Sequence, residues 1–110
     1  MKVIQQKQLE IYETADGKQP FVSWLEALKD KSIRYRIKER LDRVALGNLG
    51  DYKPLEQGIS ELRFSFGSGY RVYYAEEGKK IILLLCGGDK SSQKQDIKKA
   101  ISYWRDYSSR

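Results

Sequence analysis

Apolar and polar residues alternate over residues 8–13 (Gln-Leu-Glu-Ile-Tyr-Glu), the period of a half-buried strand. Asp16-Gly17 reads as a turn. Pro20 suits a first helical position, and Phe21, Trp24, Leu25 and Leu28 follow at i, i+3, i+4 and i+7. That spacing predicts a short amphipathic helix over residues 20–29. A second helix is predicted from Ser32 to about Gly47, with Ile33, Ile37, Leu41 and Val44 as its buried stripe. Lys31, Arg34, Arg36, Lys38, Arg40 and Arg43 occupy its other faces.

From Gly58 the period changes to two. Leu62, Phe64 and Phe66 point one way, while Glu61, Arg63 and Ser65 point the other. Gly67-Ser68-Gly69 reads as a three-residue hairpin loop. The returning strand sets Tyr70, Val72 and Tyr74 on one face and Arg71, Tyr73 and Ala75 on the other. After a turn at Glu77-Gly78-Lys79, Ile81–Cys86 is continuously apolar, as expected of an inner strand covered on both sides. A last helix is predicted from about Ser92, where Ser92 and Gln95 have capping-box spacing. Ile97, Ala100, Ile101 and Trp104 form its apolar stripe, bordered by Lys94, Lys98, Lys99 and Arg105. The expected fold is a single α+β domain over residues 1–110: a mostly antiparallel sheet, two N-terminal helices and a C-terminal helix, with the helices on one side.

Composition narrows the chemistry. There is no histidine and one cysteine, which makes a zinc site improbable and excludes a His general base or a His-based triad. No metal and no cofactor is expected. Cys86 lies within an apolar run and reads as a core thiol. Ile81–Cys86 is too short to cross a bilayer, and the N-terminus turns polar within Met1–Gln6, so a cytoplasmic location is expected. Net charge is +6, from 21 Lys and Arg against 15 Asp and Glu, which favours an anionic partner such as nucleic acid.

Chemistry concentrates on the central hairpin. If Phe66 pairs with Tyr70, then Ser65 faces Arg71 and Arg63 faces Tyr73, and Arg63, Arg71 and Tyr73 share one sheet face. Two neighbouring arginines repel unless something negative lies between them. Phosphate fits, since guanidinium forks match its oxygens. Lys90 follows the next strand closely enough to reach the same place. The other reading is structural: Arg63 pairs with Glu61 or Glu76, and Tyr73 is an ordinary strand aromatic. The charge run of the second helix reads first as a solvated face, since Asp30, Glu39 and Asp42 are mixed into it. If nucleic acid is the partner, Arg36, Arg40, Lys94 and Lys98 are the additional RNA-binding candidates. Trp24 and Trp104 lie on apolar stripes as core residues, and Gly87-Gly88 is too short for a phosphate-binding loop.

Three segments together resemble a known group. They are Pro20-Phe21-x-x-Trp24-Leu25-x-x-Leu28, the hairpin Glu61-Leu62-Arg63-Phe64 with Gly69-Tyr70-Arg71-Val72-Tyr73-Tyr74, and Gly88-Asp89-Lys90-Ser91-Ser92-Gln93 with Asp96-Ile97 and Ala100. The chain thereby resembles the addiction-module killer proteins, a phage-related, HigB-like branch of the RelE/ParE toxins, from about residue 10 to 106. The resemblance implies the RelE-like fold and a cognate antitoxin, in this branch often a helix-turn-helix protein. It also implies cleavage of messenger RNA in the ribosomal A site. Arg71 matches the arginine of the family's Tyr-Arg-Val strand, Lys90 the basic residue after the following strand, and Arg63 a basic position on the preceding one. The family's C-terminal tyrosine has no clear counterpart here, which leaves the general base open.

The mechanism implied is attack of a 2′-hydroxyl on the adjacent phosphate. Arg71 and Arg63 would stabilise the transition state, Lys90 or Lys94 would protonate the leaving oxygen, and Tyr73 would stack on a base or aid proton transfer. Two alternatives stand beside it: a ParE-like poison of DNA gyrase, and a non-catalytic protein that binds only antitoxin or RNA.

Overall fold

The computed structural model describes residues 6–110. The polar start Met1–Gln5, read above as lacking a secretory segment, lies outside the described residues. The chain runs β1 (Gln8–Ile11), α1 (Pro20–Ala27), α2 (Lys31–Ala45), β2 (Tyr52–Pro54), β3 (Ile59–Arg63), β4 (Arg71–Glu77), β5 (Ile81–Gly88), a 3-10 turn (Lys90–Ser92) and α3 (Gln93–Ser108). The strands form one five-stranded sheet in the order β1-β5-β4-β3-β2. β1 is parallel to β5, and the other pairings are antiparallel. The α+β class is as expected and consistent with a RelE-like fold, but the short edge strand β2 is additional to the three strands read from the sequence after the second helix.

One expectation is corrected. The helices do not share a side: α1 and α2 cover one face and α3 the other. Phe21, Leu25, Ile37, Leu41 and Val44 pack on Leu62, Phe64, Val72, Tyr74, Ile82 and Leu84. On the opposite face Ala100 and Ile101 pack on Ile59, Tyr73, Ala75, Leu83 and Leu85. The reason is in β5, whose consecutive apolar residues present two greasy faces and need two covers. Trp24 packs partly buried against the first core and Trp104 against the second. Cys86 is buried, and burial pushes its thiol up to about 12.

Local signals set the helix ends. Asp30 caps α2 by accepting from the Ser32 backbone N–H at 2.9 Å, and Gly47, at φ 98°, follows its end. The capping-box reading at α3 is corrected: Ser92 makes no side-chain cap, and its hydroxyl donates instead to Asp96 Oδ2 at 2.5 Å. Asp89 caps the 3-10 turn, accepting from the Ser91 N–H at 2.9 Å.

β5 ends in Gly87-Gly88 for steric reasons. A Cβ on Gly87 would lie 2.2 Å from the Trp24 ring of α1. A Cβ on Gly88 would lie 1.8 Å from Asp96 Oδ2 of α3. The two glycines thus let a helix close onto each face of the same strand end, which fixes where the first turn of α3 sits.

Candidate functional site

The hairpin register differs from the expected one by two residues. Arg63 is opposite Arg71, Leu62 opposite Val72 and Glu61 opposite Tyr73, and Phe64 N–H donates to the Tyr70 carbonyl at 3.0 Å. Beyond the ladder, Phe66 packs edge-on or tilted against Phe64 and Tyr70, and Tyr70 meets Trp24 edge-on, so the aromatic rings fill the turn region. A shift of two leaves every side chain on its expected face. It also makes the two arginines direct cross-strand neighbours.

Each arginine has its own carboxylate. Arg63 donates through Nε and Nη2 to Asp51 Oδ1, at 3.2 and 3.0 Å, in a pair open to solvent. Arg71 is more enclosed. Its Nη1 donates to the Gly69 carbonyl at 2.5 Å, and its Nε lies 3.4 Å from Glu61 Oε2. That second contact is an ion pair whose N–H does not point along a hydrogen bond, so Nε has no hydrogen-bond partner. Glu61, 1% exposed, also accepts from Gln93 Nε2 at 3.2 and 3.4 Å. Glu76, the other partner considered for Arg63, is exposed near the far end of β4.

Lys90 reaches this place from β5. Its backbone N–H donates to Ser68 O at 3.4 Å, and Ser68 Oγ donates to Asp89 Oδ2 at 3.2 Å, tying the turn to the hairpin loop. A Cβ on Gly69, at φ 76°, would be 3.2 Å from Arg71 Nη1 and 3.4 Å from Lys90 Cβ. Arg63, Ser65, Ser68, Arg71 and Lys90 line a groove of about 590 Å³ with Asp51 on its rim. A second hollow of about 270 Å³ shares Asp51, Arg63, Phe64 and Ser65 with it and continues to Arg36, Arg40 and Arg43 of α2. The two make one basic channel across the hairpin.

The structure brings Arg63, Arg71 and Lys90 together, with Arg36 and Arg40 in the adjoining hollow. Arg36 is exposed, its guanidinium 3.8 Å from the Phe66 ring centroid. Arg40 is a clamp: it donates to the carbonyls of Arg63, Leu49 and Asp51 at 2.8, 2.9 and 2.7 Å. Those bonds occupy the fork that the RNA-binding reading needed free. Tyr73 is fully buried, its hydroxyl has no partner, and burial raises its pKa well above the usual phenol value. Its ring therefore has no open face for a base to stack on. Lys94 and Lys98 are exposed on α3 and do not line the channel.

Sequence reading did not single out Asp51 or Gln93, and it offered Glu61 as a partner of Arg63, whereas Arg63 pairs with Asp51 and Glu61 with Arg71. Glu61 was legible as a neighbour of Arg63 on the same face. Its burial was not, because that depends on α3 covering this side of the sheet.

A family profile described as phage derived protein Gp49-like (DUF891) matches residues 23–102. The chain belongs to this family. It is a RelE-like addiction-module killer family, in agreement with the coarser part of the resemblance drawn from the motifs. The chain is also similar to an uncharacterized protein of Haemophilus influenzae, 48% identical over 80 residues, covering 73% of this chain and 81% of that one. The matched span of the Gp49-like family contains every residue of the basic channel.

Proposed function

We propose that this protein is the toxin of a type II toxin–antitoxin module, of the HigB-like branch, and that it cuts messenger RNA on the ribosome. The observation that carries the reading is the direct opposition of Arg63 and Arg71 in the sheet, with Lys90 at the same groove. Like charges directly opposite on a sheet are unfavourable, and an anion between them relieves the cost. Asp51 and Glu61 do this in the free protein, and the solvent-exposed Asp51 pair is the one a phosphodiester can displace.

In this mechanism a 2′-hydroxyl oxygen attacks the adjacent phosphorus, forming a P–O2′ bond as the P–O5′ bond breaks. The products are a 2′,3′-cyclic phosphate and a free 5′-hydroxyl. Arg71 and Arg63 donate to the oxygens that gain charge in the transition state. Lys90 delivers a proton to the leaving oxygen, and the proton of the attacking hydroxyl passes to solvent. Ribosomal alignment of the strand supplies much of the rate, which suits a site without a histidine. Tyr73 stands behind Arg71 as part of the core, and Lys94 and Lys98 serve as outlying contacts to RNA phosphates. The cognate antitoxin, a helix-turn-helix protein, neutralises the toxin by laying an acidic segment along the basic channel. All of this takes place in the cytoplasm.

The test is pulse labelling of bacteria after induced expression of wild type and Arg71→Ala. Leucine incorporation into protein falls first with wild type, and Arg71→Ala lowers cleavage about 100- to 1000-fold, the usual loss for one transition-state donor. An Arg71→Ala protein that arrests growth as wild type does would sink the assignment. An earlier fall in thymidine incorporation would move the target to gyrase.

A further inference from the structure

Glu61 is a buried carboxylate in a setting that does not call for one. It lies on the sheet face where Ile59, Tyr73, Ala75, Leu83 and Leu85 form a core with α3. A leucine or methionine there would pack with its neighbours and carry no desolvation cost, and exchanging a buried ion pair for apolar residues is often neutral or stabilising. Stability alone therefore does not account for the charge. What the charge does is visible in its contacts.

We propose that Glu61, buttressed by Gln93, is a positioning residue that fixes the guanidinium of Arg71 in the groove, an inference that rests on Arg71 being a phosphate contact. Gln93, the first residue of α3, donates from one amide nitrogen toward both carboxylate oxygens. The carboxylate is thus held from α3 and faces Arg71 Nε at 3.4 Å. The Gly69 carbonyl restrains the other end of the same fork through Nη1. Two restraints on one planar group set its plane, and a donor set before substrate arrives needs no reorganisation during reaction.

The neighbouring arginine shows the contrast. The Arg63 side chain is 40% exposed and its Asp51 partner 58%, whereas Arg71 is 14% and Glu61 2% exposed. Water screens the outer pair and leaves it free to exchange its carboxylate for a phosphate. The inner pair is unscreened and stays together. One arginine is fixed and the other adapts.

The experiment compares wild type, Glu61→Gln and Arg71→Ala by ribosome-programmed mRNA cleavage and by the 15N NMR signal of Arg71 Nε–H. Glu61→Gln keeps the shape and removes the charge. It is expected to lower kcat about 10- to 100-fold with KM little changed, since a small misplacement of a transition-state donor costs this much. The Arg71 Nε–H, shielded by burial in wild type, should exchange faster in the variant. Added to Arg71→Ala, Glu61→Gln should cost no further activity, because its effect passes through Arg71. If Arg71→Ala is inactive while folded Glu61→Gln keeps full kcat, the positioning role is wrong and the ribonuclease reading stands. A fully active Arg71→Ala would overturn both. Should Glu61→Gln fail to fold, Gln93→Met reads the same coupling from the other side. A smaller fall in kcat with faster Nε–H exchange supports the role, and no change in either overturns it.

Discussion

At the scale of single residues, the arginines of this protein divide by what their forks hold. Arg40 is spent on backbone: three carbonyls from Leu49, Asp51 and Arg63 converge on it. It thereby ties the segment leading into β2 to the end of β3. Arg40→Ala leaves those carbonyls without their charged donor and is expected to destabilise the fold by about 2–3 kcal/mol. Arg36→Ala removes an exposed cation from the Phe66 ring and should cost less than about 1 kcal/mol. Urea unfolding of the two variants checks the difference, and equal midpoints would show that Arg40 is not a clamp. This distinction was not legible in the sequence, where both arginines stand in one charge run of α2. The faces of Arg63 and Arg71 were legible, because strand alternation fixes them and a register error of two residues leaves them unchanged. Their pairing with carboxylates was not: Asp51 lies in the bend before a three-residue strand too short to show a period.

Among the elements, the end of β5 has the least tolerance. Gly88 faces Asp96 of α3 and Ser92 of the 3-10 turn before it, and Gly87 faces Trp24 of α1. Gly88→Ala cannot be accommodated by a side-chain swing alone, because the Asp96 carboxylate is buried and bonded to Ser92. The first turn of α3 must move outward, at an expected cost of about 1–3 kcal/mol. The same shift carries Gln93 away from Glu61 and Lys90 away from Arg71, so the proposed RNA cleavage should fall along with stability. Thermal unfolding and cleavage on one preparation test this, and a Gly88→Ala protein with wild-type values for both would refute it. The glycine pair was visible in the sequence only as a strand terminator. The apolar run before it did announce a strand covered on both sides. Assigning all helices to one side contradicted that signal, and the two-sided core resolves the contradiction in favour of β5.

Over the whole molecule, burial sets the response to pH. Both cores contain acids that are neutral when buried. The thiol of Cys86 is pushed up to about 12 by burial, and the phenols of Tyr12 and Tyr74 also to about 12, chiefly by burial. In the unfolded chain the thiol releases its proton near 9.0 and the phenols near 10.0. Raised folded-state values mean that their contribution is fully present below those unfolded values and is lost as pH rises toward 12. Each group then removes about 1.4 kcal/mol of stability per pH unit. Unfolding midpoints should hold through neutrality, fall from about pH 9, and fall less steeply in Cys86→Val. Identical alkaline limbs in both proteins would contradict the buried-thiol account.

The parallel pairing of β1 with β5 also orders events in time. Gln8 is made early, yet its partner Ile81 is joined only after the whole α1 to β4 stretch. At about 5–20 residues per second, β1 waits roughly 4–15 s for its neighbour during synthesis. The basic channel needs Lys90 from beyond that strand, and the Glu61 contact needs Gln93 from α3. No chain that stops short of Gln93 holds the finished site, so the ribosome building this protein joins those residues before there is a formed groove beside it.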